Sequence, residues 1–137
     1  MIRHVKPVPI EFVNQVWGEV ENFMEQSARH SCGEVTLEEI KMRVLDGTWH
    51  LIVALDDNDV VHGAATVYFF NRTDNRVAYV TGIGGKLLAN MNTFSQFCDI
   101  LRLHGATCIE GTVRESLMRL WARLGARKKS TVVQIAL

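Results

Sequence analysis

Proline is nearly absent from this chain: there are 2 in 137 residues. Both, Pro7 and Pro9, sit near the start, so nothing beyond residue 9 is broken by a proline. Cysteine is scarce as well. The 3 cysteines, Cys32, Cys98 and Cys108, are odd in number and widely spaced, with no CxxC or CxxH, and so signal neither a disulfide framework nor a zinc site. All three are expected to be free thiols. Net charge is missing too, since 15 Lys and Arg offset 15 Asp and Glu. That balance speaks against bulk binding to nucleic acid or to anionic lipid. No run is apolar enough to span a bilayer, and residues 1–7 lack the apolar core of a signal peptide. A reducing, cytoplasmic setting is therefore expected, with no membrane partner.

What is present is ordinary for one globular domain over residues 1–137. Apolar residues make up 47% and charged ones 22%, and this length can bury a core without staples. From Pro9 to about Ala28 the apolar set Phe12, Val13, Val16, Trp17, Val20, Phe23 and Met24 follows a helical period. Ser27 to Val35 reads as a loop. Thr36 and Glu39 form a capping box that opens a second helix, which Gly47 stops.

Strand patterns follow at Trp49–Leu55, Val60–Phe70 and Arg76–Thr81, separated by the polar turns 56–59 and 71–75. A capping box at Thr93 and Gln96 predicts a helix over 93–104. Thr107–Thr112 is the next strand. Leu117, Leu120, Trp121 and Leu124 recur at i, i+3, i+4 and i+7, giving a short amphipathic helix that Gly125 stops. A final strand is predicted at Thr131–Ala136. With a tentative first strand in residues 1–8, the order is β-α-α-β-β-β-α-β-α-β.

That order, and an ending of strand, helix, Leu124-Gly125-Ala126 and strand, resembles the GCN5-related N-acetyltransferase (GNAT) superfamily over essentially the whole length. The resemblance implies an α/β (α+β) domain, with a mixed central sheet whose fourth and fifth strands splay apart and helices on both faces. In that family the gap between those strands admits the pantetheine arm of acetyl-CoA, and a Gly-x-Gly loop wraps the pyrophosphate with backbone N–H groups. Here the matching stretch is Thr81, Gly82, Ile83, Gly84, Gly85 and Lys86, the cofactor-binding candidates. The basic or amide residue that opens the family's loop would fall on Tyr79. A second reading keeps Gly82–Gly85 as the end of the strand, with glycines for close packing.

The resemblance weakens at the chemistry. The family's tyrosine, four residues before the Gly of its last helix, falls on Trp121, whose indole N–H does not titrate and cannot serve as a general acid. The family's asparagine falls on Arg114 and its phenylalanine on Ala126. Glu110 is the remaining candidate catalytic carboxylate; His62, Tyr68 and Tyr79 could line the cleft, and Cys98 reads as helix core. Such erosion resembles small GNAT-like proteins of tailed bacteriophage heads and virions. It implies a non-catalytic role with phage structural proteins as partners, in the host cytoplasm or the virion, and room for an oligomer. The alternative is an active acetyl-CoA-dependent N-acetyltransferase. A nucleic-acid surface built on Arg114, Arg119, Arg123, Arg127, Lys128 and Lys129 is a third, weaker reading, because these residues also read as a solvated face.

Overall fold

The computed structural model describes residues 2–31, 34–88 and 90–137. Cys32, one of the three predicted thiols, lies outside them; Cys98 and Cys108 are free. The elements are β1 (Ile2–Val8), α1 (Val13–Arg29), α2 (Leu37–Leu45), β2 (His50–Asp56), β3 (Val61–Asn71), β4 (Arg76–Gly85), α3 (Met91–Leu103), β5 (Cys108–Gly111) and α4 (Met118–Arg123). Short 3-10 turns, Ile10–Phe12 and Glu115–Leu117, lead into α1 and α4.

The strands form one sheet in chain order, β1-β2-β3-β4-β5. The first four are antiparallel and β5 runs parallel to β4. Pro7 is tolerated because β1 is an edge strand. Alternation along β2 sends Leu51 and Val53 to one face and Ile52 and Ala54 to the other. The first face packs on Val13, Trp17, Val20, Met24, Ile40 and Val44 of α1 and α2. The second packs on Phe97, Ile100, Leu101 and Trp121 of α3 and α4. Helices thus cover both faces of a mixed sheet, as expected. No helix among the described residues is long and apolar enough to cross a membrane.

Several boundaries differ from the sequence expectation, each for a local reason. Phe12 is 47% exposed, because the chain enters α1 through a 3-10 turn that rotates it off the helical stripe. Ser27, expected in a loop, is inside α1. The helix predicted from Thr93 starts two residues earlier. Asn90 caps it, accepting the Thr93 N–H on Oδ1 at 2.9 Å, while Gln96 reaches away to accept the Val5 N–H at 2.9 Å. The Thr36 cap stands as read: its Oγ1 accepts the Glu39 N–H at 3.2 Å.

β4 runs past Thr81 to Gly85 because β3 is long enough to pair with it, Gly63 lying opposite Gly85. The predicted last strand, Thr131–Ala136, is not formed: residues 126–137 carry neither helix nor strand. A strand needs a partner for its backbone groups, and none of the five strands of this chain pairs with the segment.

Candidate functional site

The site is built where β4 and β5 part. Their ladder has four pairs, Val77 with Cys108 through Val80 with Gly111. Beyond it β4 continues to Gly85 while β5 ends. Past this ladder the two strands no longer pair, which is the parting that the family resemblance implied.

Residues Thr81 to Gly85 lie in β4, in register with β3, and Lys86 begins the turn toward α3. The Ile83 N–H donates to Ser27 Oγ of α1 at 3.1 Å, and the Lys86 N–H donates to the His62 carbonyl at 2.8 Å. The glycines are packing positions. A Cβ on Gly84 would fall 2.4 Å from the Phe23 carbonyl oxygen, and one on Gly82 2.9 Å from Ser27 Oγ. Gly85, at φ +71, holds a left-handed turn that also presses on the His62 carbonyl. Of the two readings of this run, the end of a strand with close backbone packing describes where it lies.

On the α1 side of the sheet, the ladder carries a half-buried band. Tyr68 lies opposite Tyr79, and Tyr79 opposite Glu110. The Tyr68 ring is 5.4 Å from Tyr79 and 5.7 Å from Phe70. The Tyr79 and Thr112 hydroxyls are hydrogen-bonded at 3.0 Å, tying β4 to the chain after β5. Glu110 is clasped: both terminal nitrogens of Arg72 donate to it, one to Oε1 at 2.8 Å, and Lys129 Nζ donates to Oε2 at 2.9 Å. Arg72 in turn lies over the Phe70 ring at 5.1 Å. These cations, Arg72 foremost, hold the Glu110 carboxyl down to about 2. A carboxylate so stabilised in its charged form is a weak proton acceptor near neutral pH.

The other candidates do not converge on Glu110. His62 Nε2 lies 2.8 Å from Asp56 Oδ2, in the hairpin between β2 and β3. That carboxylate also accepts the Asn58 and Val60 N–H groups, and it is held at about 2, with the His62 bond as the leading cause. Trp121 is buried among Phe97, Leu101 and their neighbours, as a core residue. Arg114 Nη1 lies 3.0 Å from His30 Nε2. Cys98 is half-buried in α3, and burial pushes its thiol up, away from the reactive thiolate. Among the described residues no cluster of His, Cys, Asp or Glu could hold a metal ion.

Four residues that shape this region carried no signal in the sequence. Ser27 and Phe23 read only as loop and apolar stripe, yet they lie against β4. Arg72 read as part of a polar turn, and nothing local announces that it reaches 38 positions along the chain to Glu110. Asn90 was hidden by the competing Thr93 box. A recess of about 270 Å³ lies apart from the band, between α3 and α4 beside the start of β5, with Phe94, Cys98, Cys108, Trp121 and Ala126 in its wall.

By sequence, no known family and no curated protein matches this chain. By structure, the likeness is to GNAT-fold acetyltransferases. Glucosamine-6-phosphate N-acetyltransferase from Arabidopsis thaliana superposes with a TM-score of 0.62 at 10% identity, covering 97% of each chain. An acetyltransferase from Trypanosoma brucei gives 0.61 at 10% identity, over 98% of this chain and 99% of that one. A mutant Bacillus halodurans protein gives 0.67 at 12% identity, again over 98% and 99%. The chain is a single domain with the GNAT-like α/β fold. Such distant likeness fixes architecture; the chemistry must be argued from this chain's own residues.

Proposed function

We propose that this GNAT-fold protein works through its surface, as a component of a protein assembly, and does not transfer acetyl groups. The observation that carries the reading is the state of the rim between β4 and β5. Ser27 already accepts the Ile83 N–H, and the Phe23 backbone lies against Gly84. The Lys86 and Thr93 N–H groups, at the two ends of the β4–α3 turn, already have protein acceptors. If the chain were active, acetyl-CoA would be its cofactor and Thr81 to Lys86 the residues expected to hold it. Those residues are a poor fit for a phosphate cradle, because a cradle needs N–H groups left free to aim at the ligand.

The proton chemistry points the same way. The position that would protonate a departing thiolate holds Trp121, which is buried and does not titrate. The candidate carboxylate, Glu110, is clasped by two cations. Erosion of this kind supports the association with tailed-phage heads or virions that the sequence suggested, with phage structural proteins as the partners.

The test is thiol release. Full-length chain with acetyl-CoA and a panel of polyamines, aminoglycosides and lysine peptides should release no free CoA above the blank. Release that disappears in Glu110→Gln would overturn the reading and establish an active N-acetyltransferase. The assembly role is tested by co-sedimentation of the chain with tailed-phage particles; a chain left in the supernatant counts against it.

A further inference from the structure

The chain is neutral as a whole but not along its length. Residues 1–62 hold 11 of the 15 Asp and Glu and 5 of the 15 Lys and Arg, and residues 63–137 hold the other 4 and 10. The two parts therefore carry formal charges of −6 and +6.

Folding keeps the two signs apart. α1 packs on one face of the sheet and α4 on the other. Glu19, Glu21 and Glu25 of α1 are exposed, as is Glu11 just before it; so are Arg119 and Arg123 of α4, and Arg127 and Lys128 after it. Glu25 is paired only with Arg29 of its own helix, in an exposed contact of 3.0 Å. Among the described residues, the other three glutamates and the four cations have no ion-pair partner. Carboxylates one turn apart at Glu21 and Glu25 answer guanidinium groups one turn apart at Arg119 and Arg123. Exposed apolar side chains accompany both signs: Ile10, Phe12 and Met42 in the α1–α2 layer, and Met91 and Leu103 on α3, which shares its face of the sheet with α4. They offer the water-excluding contact that charge, which mainly steers and orients, does not.

We infer that the basic face of α4 is a docking site for the acidic face of α1 on a second copy of this chain, so that copies join head to tail. The inference rests on the surface role proposed above and names one partner for it. Like faces laid together would set cation against cation. Because the two helices lie on opposite faces of one sheet, each contact uses one of them and leaves the other free for a further copy. Nucleic acid fits less well. A polyanion drawn to α4 is repelled by the acidic excess of residues 1–62, whereas a second copy brings both signs in equal number.

Sedimentation of the full chain in about 0.01 M and about 1 M salt tests this, since screening shortens from about 30 Å to about 3 Å between them. The wild type should form oligomers that grow with concentration at the lower salt, and should be monomeric at the higher. Arg119→Glu/Arg123→Glu and Glu21→Lys/Glu25→Lys should each be a folded monomer in both. An equimolar mixture of the two variants should associate again, because each keeps the face that the other has lost. Should a variant fail to fold, the salt response of the wild type decides. A wild type that is monomeric at low salt overturns the inference, and so do oligomers that persist at high salt or in either variant. A mixture that stays monomeric does the same. A monomer that takes up duplex DNA through Arg119 and Arg123 overturns it in favour of the nucleic-acid reading. A monomer that still co-sediments with phage particles overturns it and leaves the surface role standing.

Discussion

The two ends of the sheet are built to different specifications. At the β1–β3 end, helices seal both faces: Ile40, Val44, Leu51, Ile52 and Ala64 are each within about 1% of complete burial. At the β4–β5 end, the face toward α1 is left to Tyr68, Phe70, Tyr79 and the clasped Glu110, and the outer edge is unpaired. One end stores stability in packing. The other is held by hydrogen bonds, ion pairs and close glycine contacts. In an acetyltransferase the open end would carry free backbone donors and a titrating side chain. Here Ser27, His62 and Asn90 have taken donors, and Arg72 and Lys129 have taken the acid.

The contrast can be broken from the sealed end first. Ile40→Ala should cost about 2–5 kcal/mol, the range for deleting a buried aliphatic side chain without collapse of the cavity. Denaturant unfolding would show it as a lower midpoint at constant slope. A loss under about 1 kcal/mol would mean that this end is no better packed than the other.

Gly84→Ala asks whether the open end is closed by α1. Its new Cβ would meet the Phe23 carbonyl, which is backbone and cannot rotate away. The expected cost is about 1–3 kcal/mol, the usual price of overpacking. A neutral substitution would show that α1 does not press on β4.

Acid should weaken the protein in steps with known signs. His50 is lowered below its ordinary value by burial and then by His104, so the unfolded chain binds its proton first. Stability from that neutral ring is present above the ordinary imidazole range and declines as pH falls through it. Glu110 and Asp56, both held at about 2, contribute stability that is full above the ordinary carboxylate range and is lost as pH falls toward 2. Arg72→Ala should flatten the lower step. At near-neutral pH it should change stability little, because the pair is partly solvated. An unchanged acid limb would mean that Arg72 does not set the Glu110 carboxyl.

The smallest effect is expected on the last helix. Arg119→Ala/Arg123→Ala removes two exposed cations and should shift stability by no more than about 0.5 kcal/mol. Retention on a DNA or RNA column should not change either; a salt-sensitive loss would promote the nucleic-acid reading.

The sealed end was legible in the sequence because periodicity alone encodes it. Trp17, Val20 and Met24 on α1, and Ile40 and Val44 on α2, declare the faces they bury. Gly47, Gly105 and Gly125 all adopt the positive φ expected just beyond a helix end. The open end was legible only as topology. Its bonds are long-range and polar, such as Ser27 to Ile83 or Arg72 to Glu110, and polar contacts between distant residues leave no period. Where two local signals competed, as Asn90 and Thr93 did, the cap with the better acceptor prevailed. The Thr131–Ala136 segment shows a third limit: composition can declare a strand, but none of the five strands of the sheet pairs with it.

Thermal unfolding with and without millimolar acetyl-CoA tests the central claim, that the rim between β4 and β5 is closed to the cofactor. A ligand bound only by the native state, at about 100 times its Kd, adds roughly 2.7 kcal/mol and would raise Tm by roughly 5–15 °C for a domain of this size. The account predicts no shift, in the wild type and in Glu110→Gln alike. A rise of several degrees that is lost when Gly84 is replaced by Ala would contradict it.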